Sequence, residues 1–297
     1  QRLIPSAMET RGVLAEYLPG EGTLTVWSST QIPHILKTQL SSIVNVPEQR
    51  VRVIAPEVGG GFGSKLNIYP EEVVVSYLAI QLRQPVKWIE TRGENFTTTT
   101  HGRDQVQYVE LAVKKDGTIT GLRAKIIADL GASYQLFTPL VPTFTNGMIL
   151  GCYKIPNIKL ELMSVLTNKM ATDAYRGAGR PEDTYLIERI IDIAAQELGM
   201  DPRDIRFKNF PRPEEFPLEI GTGFIYDSGN YQESLNKALG IVKYDELRKQ
   251  QAELRKQGRF MGIGISTYVE ICGMGPSTAI PGGGWEDAHV ERASGSV

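Results

Sequence analysis

Between a short β-branched run at residues 51–56 (VRVIAP) and a helix-like stretch opened by Pro70 lies the segment Val58-Gly59-Gly60-Gly61-Phe62-Gly63-Ser64-Lys65. Glycine this dense admits positive φ and lets a backbone come within hydrogen-bonding distance of a ligand. The segment is not a phosphate loop. That motif needs Gly directly before Lys and then Ser or Thr, whereas here Ser64 intervenes and Leu66 follows. The GxGxxG spacing fails as well, because Ser64 stands where the last glycine belongs. A tight strand-to-helix turn is the plainer alternative.

A second cluster, Ala174-Tyr175-Arg176-Gly177-Ala178-Gly179-Arg180-Pro181-Glu182, sets glycines directly before a helix with two arginines alongside. A helix N-terminus with free amides favours an anion. Arginine adds paired donors for phosphate or oxo groups. Solvent-exposed arginines at the start of an ordinary helix would leave the same pattern.

The periodicity around these clusters predicts strands at residues 23–29, 51–56, 85–90 and 159–166. A helix opens at Pro33 with Leu36, Leu40 and Ile43 on one face, and another at Pro70 with Val74, Leu78 and Leu82 at helical spacing. Lys115-Asp116-Gly117 between two β-rich runs predicts a hairpin of residues 105–113 and 118–128. The clearest helix follows Pro181, with Leu186, Ile190, Ile193 and Leu198 as its buried stripe and Gly199 as its end. Residues 201–217 read as an irregular connection and 231–257 as polar helix. Residues 259–271 read as a strand running into a glycine-rich loop at 273–284. Strands and helices alternate, but the hairpin interrupts them, so the fold class is α+β (mixed α/β).

Composition narrows the function. Lys plus Arg number 32 and Asp plus Glu 34, a net charge of −2. That balance offers no electrostatic reason to bind nucleic acid or an anionic membrane. No apolar run is long enough to span a bilayer, and no secretory signal core stands at the start. A cytoplasmic location is expected. Gln1 in place of an initiator Met, and an end directly after a strand-like stretch, suggest a piece cut at both ends. The two cysteines, Cys152 and Cys272, form no CxxC pair and read as buried thiols. His34, His101 and His289 are scattered outside any metal motif, so no protein metal ligand is assigned. There is no GxSxG serine turn.

Taken together the two clusters are more specific. GGGFGSK after VRVIAPEV, followed about a hundred residues later by AYRGAGRPE, resembles the molybdenum-binding subunit of the xanthine dehydrogenase, aldehyde oxidase and aerobic carbon monoxide dehydrogenase family. QRLIPSAMETRG, WSSTQIPHILKTQL, CYKIPN and STYVEICGMGPS followed by PGGGWE agree with it in order, the last resembling its carbon monoxide dehydrogenase-like branch. The resemblance implies a molybdenum ion held by the dithiolene of a pterin, in the cytosine dinucleotide form. It implies hydroxylation with water as the oxygen source, and electrons leaving through iron–sulfur clusters to a flavin. By the same resemblance Gln31 would hydrogen-bond an oxo ligand, and the backbone around Gly60, Gly61, Phe62 and Gly63 would reach the metal and pterin. Arg176, Gly177 and Ala178 would form the loop beside the metal, with Arg180 a further candidate. Residues 1–240 would be a first molybdopterin-binding domain, 241–258 a connecting helix, and 259–297 the truncated start of a second.

Departures from the family's pattern limit the substrate. Purine oxidisers carry Glu at the position of Leu66, an aromatic at that of Ala178 and Arg at that of Phe144. Carbon monoxide oxidisers carry a copper-holding Cys where this chain has Gly177. An aldehyde or small heteroaromatic substrate remains. The family's catalytic glutamate lies far toward the C-terminus of a full subunit, so no general base is assigned here. Expected partners are a flavin-binding medium subunit and a [2Fe-2S] small subunit, since two cysteines cannot hold such clusters. A second molybdopterin-binding chain would be a further partner if the subunit is split. A scaffold that kept the fold without the chemistry is the competing class.

Overall fold

The computed structural model describes residues 2–271. Its first layer is a four-stranded sheet in the order β3-β2-β1-β4. Strand β1 (Gly12–Leu18) turns through Gly22, at φ +66°, into antiparallel β2 (Thr23–Ser28). Alternation puts Val13 and Ala15 of β1 and Leu24 and Val26 of β2 on one buried face. Helix α1 (Pro33–Val44) crosses back to β3 (Val51–Ile54), which therefore lies parallel to β2. Pro33 fits the first helical position, and Asn45 ends the helix in the left-handed region. Helix α2 (Pro70–Leu82) covers β1 and β4 (Val86–Ile89), sealing one core with Leu36 and Leu40 of α1.

The second layer is the sheet β5-β6-β7. Strands β5 (Gln105–Val113) and β6 (Ile119–Asp129) form the expected hairpin, with Gly117 at φ +86° and Asp116 accepting the Thr118 N–H. Strand β7 (Ile158–Val165) adds parallel to β6. Helices α4 (Leu140–Met148) and α5 (Arg180–Leu198) pack together over this sheet and bury a second, larger core. Helices α7 (Tyr231–Ile241) and α8 (Tyr244–Lys256) follow the two-residue strands β8 (Leu218–Glu219) and β9 (Ile225–Tyr226).

Several expectations are corrected. On α1, Ile43 is 54% exposed while Leu36 and Leu40 are buried. On α2 the row Val74, Leu78 and Leu82 faces outward, and Glu72, Val75, Ser76 and Ala79 face the sheet. This helix is apolar nearly all round, so periodicity selects no face. On α5 the core takes Leu186, Ile187, Ile191, Ala194 and Ala195, leaving Ile193 exposed. Residues 201–217 hold a true helix, α6 (Pro202–Asn209), because Asp201 caps it by accepting the Arg203 N–H and Pro202 fits its first turn. Helix α3 (Arg92–Thr98), announced by the capping pair Thr91 and Glu94, was not foreseen either, nor were β1 and α4. Helix α4 contains Pro142, Gly147 and β-branched residues, and burial of Val141, Phe144 and Met148 overrides that composition. Residues 260–271 alternate between exposed and half-buried as a strand does, yet join no sheet among the described residues. The loop expected at 273–284 lies outside the described residues.

Candidate functional site

The glycine cluster between β3 and α2 is a folded loop. Gly60, Phe62 and Gly63 hold φ of +95°, +52° and +102°. The Ser64 N–H and hydroxyl both return to the Gly61 carbonyl at 3.0 Å, and the Leu66 N–H to that of Gly63 at 3.1 Å. Gln31, two residues ahead of α1, closes one side. Its N–H donates to the Lys65 carbonyl at 2.9 Å and its Oε1 accepts the Gly63 N–H at 3.0 Å. A Cβ at Gly61 would stand 2.4 Å from that Oε1, so any larger residue there would push the Gln31 side chain aside. Among the described residues the amides of Gly60, Gly61 and Phe62 find no acceptor, and the Gln31 amide nitrogen finds none either. The free donors therefore run over residues 60–62, while Gly63, expected among them, is spent on Gln31.

The second cluster docks on the first. The Arg176 N–H donates to the Phe62 carbonyl at 2.9 Å, and its guanidinium lies 5.5 Å from the Phe62 ring centre. Gly63 is pressed against this segment, since a Cβ there would sit 2.1 Å from the Ala174 carbonyl oxygen. Gly177, Ala178 and Gly179 all have positive φ, and the Ala178 N–H closes on the Tyr175 carbonyl at 2.7 Å. Arg180 turns away, with its guanidinium 5.2 Å from the Phe144 ring centre and its Nε 3.7 Å from Glu270. It lines a cavity of about 720 Å³, shared with Arg176, Gly177, Tyr185 and Tyr268, between α5 and residues 266–270.

The residues that hold this loop come from outside both glycine clusters. Arg103, before β5, donates to the carbonyls of Tyr175, at 3.1 Å, and Arg176, and to Glu182 Oε2 at 3.0 Å. Glu182 in turn accepts the Gly179 N–H at 3.1 Å. Buried Asp173 accepts from the Phe137 N–H at 3.1 Å and the Thr138 hydroxyl at 3.2 Å, while Asn67 accepts the Leu136 N–H at 3.0 Å. Burial pushes the Asp173 carboxyl up. Residues 136–138 thus tie both clusters together. Nothing in the local composition of these residues marks them, because each acts on a segment remote in sequence.

Among the described residues no group of His, Cys, Asp or Glu could hold a metal. His101 is structural, accepting the Leu3 N–H at 2.8 Å. His34 is exposed, and His289 and Cys272 lie outside the described residues. Cys152 is buried in the second core, where burial and nearby Glu188 push its thiol up to about 12. The loops offer hydrogen-bond donors, not ligands: three backbone amides, the Gln31 amide and a guanidinium. Such a set fits oxo or other anionic groups on a metal that brings its own organic ligand.

The chain belongs to the molybdopterin cofactor-binding domain family, whose profile matches residues 1–210. It is 42% identical over 282 residues to the carbon monoxide dehydrogenase large chain of Hydrogenophaga pseudoflava, covering 93% of this chain and 35% of that one. It is 35% identical over 275 residues to the nicotine 6-hydroxylase large subunit of Paenarthrobacter nicotinovorans, covering 92% and 34%. Among solved structures it superposes on quinoline 2-oxidoreductase from Pseudomonas putida 86 with a TM-score of 0.89 at 38% identity, covering 93% of this chain and 36% of that one. For a Cu,Mo-CO dehydrogenase the TM-score is 0.86 at 40% identity, covering 94% and 36%. The chain thus spans about a third of the length of these relatives. No helix among the described residues is long and apolar enough to cross a membrane.

Proposed function

We propose that this chain forms one wall of the active site of a molybdenum hydroxylase and binds molybdopterin cytosine dinucleotide there. The observation that carries the reading is the Arg176 N–H on the Phe62 carbonyl, which brings the two glycine clusters, Gln31 and three unpartnered amides to one place. The bound cofactor would supply the redox chemistry, hydroxylating a carbon centre with oxygen from water. The protein's part is orientation. Gln31, its Oε1 fixed by Gly63, is left with an amide donor for an oxo group. The amides of Gly60, Gly61 and Phe62 give fixed partial positive charge, and Arg176 gives a full one. Together they favour a negatively charged group and need no reorganisation as charge develops.

The substrate class is an aldehyde or a small heteroaromatic compound. Oxidation of carbon monoxide with a copper partner is disfavoured at Gly177. Its φ is +96°, and a Cβ there would lie 2.5 Å from the Pro181 ring, which leaves no room for a thiol side chain in this conformation. Electrons would pass to a [2Fe-2S] small subunit and a flavin-binding medium subunit, in the cytoplasm. Residues 1–240 act as the first cofactor-binding domain, 241–258 connect, and a second domain begins at 259. The strand-like residues 259–271, which have no sheet neighbour among the described residues, favour a site completed by further polypeptide that also brings the catalytic glutamate.

Elemental analysis paired with nucleotide release, on protein purified from its native source with its partner chains, tests the reading. Molybdenum near one per chain with released cytidine monophosphate supports it, and an aldehyde panel follows. Absence of molybdenum from a host that makes the cofactor would overturn it in favour of a scaffold.

A further inference from the structure

Glycine loops are conformationally permissive, so their shape depends on what holds them from outside. Here both ends of the first cluster meet one oxygen atom. Glu9 Oε2 accepts the Gly59 N–H at 2.7 Å and pairs with Lys65 Nζ at 2.7 Å. The Glu9 N–H donates back to the Gly59 carbonyl at 3.1 Å. The contact is close, since a Cβ on Gly59 would stand 2.6 Å from Glu9 Cβ. Lys65 is the unusual member of the pair. Its side chain is 1% exposed, against 39% for Glu9. An ammonium this deep is unfavourable unless paired, and an apolar chain of similar length would fill the space without that cost. The charge therefore answers to something other than packing. Lys65 also seats the other half of the site, because its carbonyl accepts the Gln31 N–H at 2.9 Å and the Thr30 hydroxyl at 3.4 Å.

We infer that Glu9 and Lys65 are a positioning pair that sets the span of the loop and so keeps the amides of Gly60, Gly61 and Phe62 turned out toward the cofactor. The inference rests on reading the site as a molybdenum centre. Neither side chain touches the reacting atoms. With the pair intact, the ends of the loop cannot separate into a wider turn, and Gln31 keeps its register on the Lys65 carbonyl.

The test uses the full subunit with its partner chains, unsubstituted and as Glu9→Gln, Lys65→Met and Lys65→Arg. Amide hydrogen exchange is followed in cofactor-free protein across residues 59–66 and, for comparison, across β5 and β6. Exchange at 59–66 is expected to quicken on the order of tenfold in Glu9→Gln and Lys65→Met, with the hairpin unchanged. Lys65→Arg, which still reaches Glu9, is expected to restore most of the protection. In loaded protein, molybdenum loss to a chelator is expected to quicken roughly tenfold in the first two variants. Unchanged exchange at 59–66 overturns the proposal. So does faster exchange everywhere, which would mark a general prop of the fold, and so does a responsive loop with an unaltered rate of molybdenum loss. If the loop responds while the unsubstituted protein holds no molybdenum, the clasp stands and the metal-site reading falls.

Discussion

The backbone N–H of Arg176 donates to the carbonyl oxygen of Phe62 at 2.9 Å. Two glycine-rich turns from opposite layers of the fold become one wall through this bond. Its geometry requires Gly63 to pass directly under Ala174, and the first prediction follows from that crossing.

Gly63→Ala places a Cβ 2.1 Å from the Ala174 carbonyl oxygen at φ +102°. Strain and overpacking together should cost about 3 kcal/mol or more. Gly199→Ala is the control. It also has positive φ, +64°, but open space around it, so it should cost only about 1–2 kcal/mol. Urea unfolding of the two variants measures the difference, and equal losses would refute the crossing.

Arg103→Lys keeps the charge but cannot span the carbonyls of Tyr175 and Arg176 together with Glu182. Cofactor affinity is expected to fall about 10–100-fold. Molybdenum content after gel filtration checks this, and full retention would mean the loop keeps its shape without the clamp.

Glu188 Oε2 accepts from Arg206 Nε at 3.1 Å and Nη2 at 2.8 Å, and from the Thr267 N–H at 2.8 Å. Arg206 is fully buried and also donates to the Ile265 carbonyl at 2.9 Å. Glu188→Ala strips the main partner of this charge and should cost about 3–5 kcal/mol. It should also release residues 265–267 from α5. Protease cleavage within 258–270 ought to quicken. A variant that unfolds at the same urea concentration as the unsubstituted protein would contradict the latch.

Asp183, in the first turn of α5, has its carboxyl pushed up to about 8, chiefly by burial; the Thr184 hydroxyl opposes the shift and Glu182 adds to it. One of its oxygens has no partner among the described residues, as suits a neutral acid. The unfolded chain releases this proton near pH 4, so between about pH 4 and pH 8 it binds fewer protons than the fold. Stability from this group is complete below pH 4 and falls as pH rises through that window, by up to about 1.4 kcal/mol per unit. Asp183→Asn should lose that slope and gain on the unsubstituted protein from pH 5 to pH 8. Parallel stability curves would rule the protonated carboxyl out.

Much of the site was legible because local chemistry marks it. Dense glycine before Pro70 and before Pro181 announced turns of positive φ, and Gly60, Phe62, Gly63, Gly177, Ala178 and Gly179 all adopt it. The Asp116-Gly117 hairpin and the starts of α1, α2 and α5 followed from turn and capping preferences that act within a few residues. Which face of α2 meets the sheet did not follow, because its apolar residues surround the axis and only the sheet's position decides.

The sequence by itself determined where the backbone must bend and which residue types stand at each bend, since those preferences are local. Only the tertiary structure decided which donors remain free. Gly63 looked as available as Gly61 until Gln31, 32 residues away in sequence, took its N–H. Arg103, Asp173, Glu9 and Lys65 gained their roles in the same way, through side-chain hydrogen bonds that span 35 to 79 residues. Hydrogen bonds of that span depend on how two layers pack, and no window of neighbouring residues encodes it.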